Sequence, residues 1–187
     1  PDIEALPEPR IAVLLGGRTK IYRFGDEDEA RLETALRQLA GLNASFMVTA
    51  SRRTHRELLR AAEKGTSGAP RLIWRGAQDG ENPYPHFLAN ADWFVVTADS
   101  VNMVGEACAT GRPVYVFHPK GGSAKFDRFH KSLETAGYCR PLPEPVYRLD
   151  RWAYTPQVTA DESAREIERR YWRRRRAVPG LLKPGVH

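Results

Sequence analysis

The sequence predicts a doubly wound, parallel α/β sheet. Short apolar runs of strand length, such as Ile11–Leu15, Trp93–Val96 and Val114–Phe117, alternate with stretches of helical periodicity. Five or six such alternations follow one another, the pattern of a Rossmann-like sheet whose crossovers are right-handed.

Each element has its own signal. Arg10–Leu15 is a strand ended by Gly16-Gly17. Leu32, Ala35, Leu36 and Leu39 fall at i, i+3, i+4, i+7, so a helix follows, with Asp26 or Asp28 as cap and Gly41 as stop. Ser45–Thr49 is the second strand. Thr54-x-x-Glu57 reads as a capping box for a helix through Lys64, with Gly65 just past its end. Arg71–Trp74 is a short third strand, followed by a Gly/Asn/Pro-rich loop and a short helix around Tyr84–Ala89. Trp93–Thr97 is apolar enough to be buried on both faces. Ser100 caps a helix through Thr110, and Gly111 stops it. Pro113–Phe117 is the fifth strand, and Ser123 caps a helix to about Ala136. A Pro-rich stretch, 141–156, leads to a last helix over 160–176 with a narrow stripe of Ala164, Ile167 and Tyr171.

Composition narrows the classes. Apolar residues make up 41% of the 187 positions and charged residues 28%, the balance of a globular chain rather than a disordered or disulfide-held one. The apolar runs fall far short of the roughly 18 residues a spanning helix needs. Cys108 and Cys139 form no metal-binding spacing, and Cys108 reads as a small buried hydrophobe in a reducing compartment. The five histidines show no ligand spacing, so no metal is expected. No leader is visible and the expected location is the cytoplasm. The net charge of +6 is concentrated after Ala160, where basic side chains outnumber acidic ones two to one. That distribution argues against specific nucleic-acid binding and leaves peripheral membrane contact through the basic tail as the tail's alternative to a solvated face. The opening Pro1–Pro9 reads as a linker, so the chain is expected to be part of a longer protein: residues 1–9 linker, 10–140 nucleotide-binding domain, 141–187 crossing segment and basic helix.

In a parallel sheet the loops leaving the strands' carboxyl ends share one edge, where ligands bind. Those loops carry Arg18, Lys20, Arg52, Arg53, Arg75 and Lys120, whereas the opposite edge carries only Arg112. Gly16, Gly17, Gly121 and Gly122 lie on the same edge. Glycines and helix N-termini present amides to anions, so the edge suits a phosphate-bearing ligand. Taken singly the pieces have plainer readings. Gly16-Gly17-Arg18-Thr19-Lys20 is neither a dinucleotide fingerprint nor a Walker loop and also fits a tight turn. Ser51-Arg52-Arg53-Thr54 also fits a cap with solvated arginines, and Asp99 reads better as a helix cap than as a substrate group.

The segment from Ala91 to Ala107, with Thr97-Ala98-Asp99-Ser100-Val101-Asn102-Met103 and Glu106, followed by Thr110-Gly111-Arg112-Pro113-Val114, resembles the donor-site helix of GT-B glycosyltransferases. With Leu14-Leu15-Gly16-Gly17, Ser51-Arg52-Arg53-Thr54 and Asn82-Pro83-Tyr84, the chain from Arg10 to Phe117 is similar to bacterial relatives of the plant elongated-mitochondria fission factor, a GT-B-like family. The resemblance implies the C-terminal half of a two-domain GT-B-type fold, with the N-terminal acceptor domain as its partner. It further implies a nucleotide-diphosphate sugar as ligand, with Gly16, Gly17, Arg18, Arg52, Arg53, Ser100 and Asn102 around the diphosphate. Glu106 would hold the ribose, and Trp74 and Tyr84 would meet the base. No cofactor or metal is implied, no catalytic residue is assigned, and the base of any glycosyl transfer would lie in the other half. A non-catalytic adaptor with a relic nucleotide site and a nucleotide-sugar epimerase are the alternatives. Trp172 of the basic helix is expected to be exposed or buried by a neighbouring chain.

Overall fold

A computed structural model describes residues 2–156 of the chain. Six parallel strands lie in the order β3-β2-β1-β4-β5-β6: β1 Arg10–Leu15, β2 Ser45–Ala50, β3 Arg71–Trp74, β4 Trp93–Thr97, β5 Val114–Phe117 and β6 Cys139–Pro141. The helices are α1 Asp26–Ala40, α2 Arg56–Gly65, α3 Tyr84–Asn90, α4 Val101–Ala109 and α5 Ala124–Thr135, with a 3₁₀ turn at Ala77–Asp79. β1 pairs with β2 on one side and β4 on the other, with Val13 opposite both Val48 and Val95. The chain reverses its direction of winding between β1 and β4, and at that switch point two loops diverge and leave a crevice.

The central strands are apolar because both faces are covered. In β4 all five residues are buried, and β1 is buried from Ile11 onward. α1 and α2 pack together: a side chain at Gly65 would lie 2.7 Å from both the Glu33 carbonyl and Leu36 Cβ, so only glycine permits this approach. Leu32, Leu36 and Leu39 of α1 are fully buried.

Three caps differ from the sequence reading. α1 starts at Asp26 after Gly25, and Asp28 does not cap it from outside. Instead the Asp28 carboxylate, three residues in, accepts the Gly25 amide at 3.1 Å. α2 starts after His55 rather than at a Thr54–Glu57 box, because Thr54 is used elsewhere. Gly65 lies inside α2, and Thr66 ends it. Ser100 and Ser123 do stand at N-cap positions, but neither side chain makes a capping bond.

Residues outside the five main crossovers close the body. Residues 2–9, read as a linker, contribute buried Ile3 and Leu6, and the Arg10 guanidinium donates to the Leu6 carbonyl at 2.9 Å. The Pro-rich stretch lies on the body as far as Pro156. Side chains alternate along β5, so Tyr115 and Phe117 share a face. Arg31 of α1 stacks over Phe117 at 5.1 Å and Trp152 packs against Tyr115 at 5.3 Å, so residues 142–156 cover the α1 side of β4 and β5 in place of a helix. Trp93 donates its indole N–H to the Asp150 carbonyl at 2.9 Å, and Tyr154 donates to the carbonyls of Cys108 and Arg112 at 2.9 and 2.7 Å. Cys108 and Cys139 are both buried with free thiols, and the burial of Cys108 is the one the sequence predicts. The basic helix over 160–176, Trp172 included, lies outside the described residues.

Candidate functional site at the carboxyl edge

The crevice between β1 and β4 is organised around Asp99. β1 ends in Gly16-Gly17, and β4 ends in Thr97, so the two strand tips face each other. The Gly16 amide donates to the Thr97 hydroxyl at 2.8 Å and the Gly17 amide donates to Asp99 Oδ2 at 2.9 Å. Arg53 reaches in from the β2–α2 loop and pairs with the same oxygen at 3.1 Å; the Asp99 side chain is 0% exposed and that of Arg53 43%. A methyl group at Gly16 would lie 2.1 Å from Asp99 Oδ2, and one at Gly17 would lie 1.9 Å from the Arg53 carbonyl. Both glycines are therefore required by close approach.

The β2–α2 loop is tied to this turn. Ser51 donates its hydroxyl to the Gly16 carbonyl at 3.0 Å. The Thr54 hydroxyl lies 3.0 Å from the Leu15 carbonyl and accepts the Ser51 amide at 2.8 Å. Thr54 thus clamps the turn after β1 instead of capping α2. Asp99, expected to cap α4, bridges Gly17 and Arg53 instead, and Ser100 takes the cap position.

Burial pushes the Asp99 carboxyl above the usual aspartate range, against the opposing pull of the Gly17 amide, the Thr97 hydroxyl and Arg53. Its second oxygen, Oδ1, is buried without a hydrogen-bond partner among the described residues, and so is Asn102 Oδ1 one turn further along. Two buried acceptors on one connection call for donors.

A second group lies beside it. The Tyr84 hydroxyl donates to Glu106 Oε2. Burial, and then the Glu106 carboxylate, push the Tyr84 phenol well above its ordinary pKa. Trp74, expected with Tyr84 at a base, donates its indole N–H to the Gly80 carbonyl of its own loop at 3.2 Å.

The cations of this edge are partly neutralised. Arg75 pairs with Glu63 at 2.7 Å and Asp79 at 3.3 Å, and Lys120 pairs with Glu27. Arg18 is exposed, 3.8 Å from Glu29. Arg52 and Lys20 are exposed, with no hydrogen bond or ion pair from either side chain among the described residues. Next to the site, a cleft of about 760 Å³ opens between the loop after β1 and the loop after β5, lined by Lys20, Arg23, Lys120, Gly121 and Gly122 among others.

The structure therefore gathers Gly16, Gly17 and Arg53 on Asp99, sets Ser100 and Asn102 at the start of α4, leaves Arg18 and Arg52 exposed on the loops after β1 and β2, and joins Tyr84 to Glu106. Asp99, Thr97, Ser51 and Thr54 are the site-building residues whose roles the sequence reading missed. The available signal was a Thr and an Asp at a strand tip opposite Gly-Gly.

Two histidines brace the floor. His130 of α5 is buried and lies 2.8 Å from the Ala98 carbonyl, the residue before Asp99. Its ring meets His118 edge-on at 5.0 Å. Burial lowers the pKa of both rings, and His118 lowers that of His130 further. The unfolded chain therefore binds more protons than the folded one below about pH 6.5. Stability from this pair is present at neutral pH and is lost as pH falls from the unfolded value towards the lowered folded ones. Melting temperature is expected to fall between about pH 7.5 and pH 5.5, and His130→Gln should flatten that slope. An unchanged slope in this variant would rule the pair out as its source.

Among the described residues no group of three or more His, Cys, Asp or Glu side chains is arranged to hold a metal ion, and no helix is long and apolar enough to cross a membrane. Of the solved structures similar to this one, the molybdenum cofactor carrier protein of Chlamydomonas reinhardtii covers 85% of this chain and 99% of its own, at 11% identity and a TM-score of 0.49. The mitochondrial fission protein ELM1 of Arabidopsis thaliana is 34% identical over 169 residues, which are 90% of this chain and 39% of that protein. The uncharacterized protein RP120 of Rickettsia prowazekii (strain Madrid E) is 30% identical over 161 residues, 84% of this chain and 45% of that protein. The chain thus spans less than half the length of these curated relatives. The family model for mitochondrial fission ELM1 matches residues 1–171, and the chain belongs to that family.

Proposed function

We propose that this chain is the ligand-binding half of a two-domain protein and takes a nucleotide-diphosphate sugar at the β1–β4 switch point, as the donor half of a GT-B-like glycosyltransferase. One observation carries the reading: two opposite chemical demands meet on one edge. Among the described residues, Asp99 Oδ1 and Asn102 Oδ1 are buried acceptors without donors, while the exposed Arg52 is a cation without a partner. Phosphate satisfies the cation but offers no proton to the acceptors at neutral pH; hydroxyl groups do the reverse. A ligand that joins a diphosphate to a polyhydroxylated group satisfies both. In this reading the hydroxyls reach Asp99 and Asn102, Arg18 and Arg52 meet the diphosphate with the N-terminal turn of α4, and Glu106 takes the ribose. Arginines and helix amides would stabilise the departing diphosphate.

Calorimetric titration with UDP, UDP-sugars and GDP-sugars tests this. Binding of one class is expected, and Glu106→Ala should weaken it by about ten- to a hundredfold through loss of a charged hydrogen bond. Silence toward all of them at millimolar ligand would sink the reading.

One observation favours a second reading, a non-catalytic adaptor with a relic site. The Gly17 amide and Arg53 are already engaged by Asp99, and Glu106 by Tyr84. An adaptor predicts nucleotide silence together with intact folding.

A further inference from the structure

The outer face of α2 carries a charge pattern that the ligand site does not use. Arg56, Arg60 and Lys64 recur at every fourth position. All three are exposed, and their side chains make no ion pair or hydrogen bond with another described residue. The opposite face of the helix holds the contacts to the body through Leu58, Ala61, Ala62 and Gly65. Along the helix the series runs about 12 Å from Arg56 to Lys64.

Like charges at i, i+4 destabilise a helix, so Arg56/Arg60 and Arg60/Lys64 work against α2. Other cations of the body are placed differently. Arg37 on α1 pairs with Glu33, Arg75 beside β3 with Glu63 and Asp79, and Lys120 beside β5 with Glu27. Of the acids on α2, Glu63 is taken by Arg75, and Glu57 pairs with none of the three. The helix thus keeps a ridge of three exposed cations in a row that form no ion pair among the described residues, although Glu57 and Glu63 lie three positions either side of Arg60.

We propose that this ridge docks the protein on an anionic lipid bilayer. The face is convex, purely electrostatic, and free of the exposed aromatic or apolar anchor that a protein interface is built around. It also lacks the aromatics and amide side chains that read or stack on nucleic-acid bases. A flat, densely anionic surface asks for none of these, only for several cations in one row. The basic surplus after Ala160 adds charge of the same sign in the same chain, and each Lys or Arg near an anionic surface adds to the attraction. The proposal does not depend on what fills the carboxyl-edge site.

The test is co-sedimentation of the full chain with vesicles of phosphatidylcholine containing about a third phosphatidylglycerol, against pure phosphatidylcholine. Binding to the anionic vesicles only, and its loss in high salt, is the expected result. Each basic side chain near such a surface is worth about fivefold, so Arg56→Gln, Arg60→Gln and Lys64→Gln together should weaken binding by about a hundredfold. Removing self-repulsion should leave the melting temperature unchanged or raised, which separates lost docking from lost folding. Equal vesicle binding by the triple variant and the parent would overturn the proposal. So would absence of vesicle binding, or binding to duplex DNA at salt concentrations that release the vesicles.

Discussion

Gly17→Ala is expected to destabilise the protein by about 3 kcal/mol and to lower its melting temperature by about 6–12 °C. The cause is backbone against backbone. A Cβ at position 17 would lie 1.9 Å from the Arg53 carbonyl oxygen and 2.8 Å from the Thr54 nitrogen. Neither atom belongs to a flexible side chain, so the β2–α2 loop must move as a unit. That movement strains the clamp of Ser51 and Thr54 on the Gly16 and Leu15 carbonyls, and it withdraws Arg53 from a carboxylate that is wholly buried. A buried charge that loses its partner is costly, which places this substitution well above an ordinary surface change. Gly68→Ala is the control, since a Cβ there meets nothing within 4 Å. A differential-scanning melt separates the two. A shift at position 17 no larger than that at position 68 would mean that the turn is not held by the Arg53 backbone.

The contrast between these two glycines shows what the sequence reveals and what it withholds. Strands were legible because each is a local run of apolar residues bounded by turn residues; β1, β3 and β4 lie where those runs do, and β2 and β5 differ by one residue at an end. β6 was not legible: it has three residues, and Arg140 and Pro141 are exposed, which leaves no alternation to read. Caps were misassigned for a related reason. Thr54 and Asp99 have the residue types and positions of helix caps, and a local reading gives them that role. Their hydrogen bonds run instead to Leu15 and Gly17, 39 and 82 positions away in the chain, and only the sheet order brings those groups together. The same holds for the charge of the carboxyl edge. Counting cations by loop located the edge correctly but overstated its free positive charge, because Glu63, Asp79 and Glu27 arrive from other elements to pair with Arg75 and Lys120. The edge is visible in a sequence; the partners that neutralise it are not.

The stretch from Leu142 to Pro156 has no periodicity and gives no element in the sequence, yet it covers the half of the sheet that α1 leaves open. It does so through separate anchors, and Trp152 is the largest. Its ring packs edge-on against Tyr115 at 5.3 Å, and the Arg140 guanidinium stacks over it at 4.2 Å. Trp152→Ala is therefore expected to destabilise the protein by about 2–3 kcal/mol, below the cost of a fully buried tryptophan because the residue is partly exposed. The melting temperature should fall by about 4–10 °C. Trp152→Phe is expected to behave differently. The indole N–H is buried without a hydrogen-bond partner among the described residues, so phenylalanine keeps the ring contact with Tyr115 and removes an unmet donor. Its cost should stay within about 1 kcal/mol. Limited proteolysis reads out the same difference: cleavage between Leu142 and Pro156 should rise in the alanine variant and remain at the parent level in the phenylalanine one. Equal cost for both substitutions would show that Trp152 contributes something other than ring packing. Negligible cost for both would show that Trp93, through its bond to the Asp150 carbonyl, and Tyr154, through its bonds to Cys108 and Arg112, hold the segment without it.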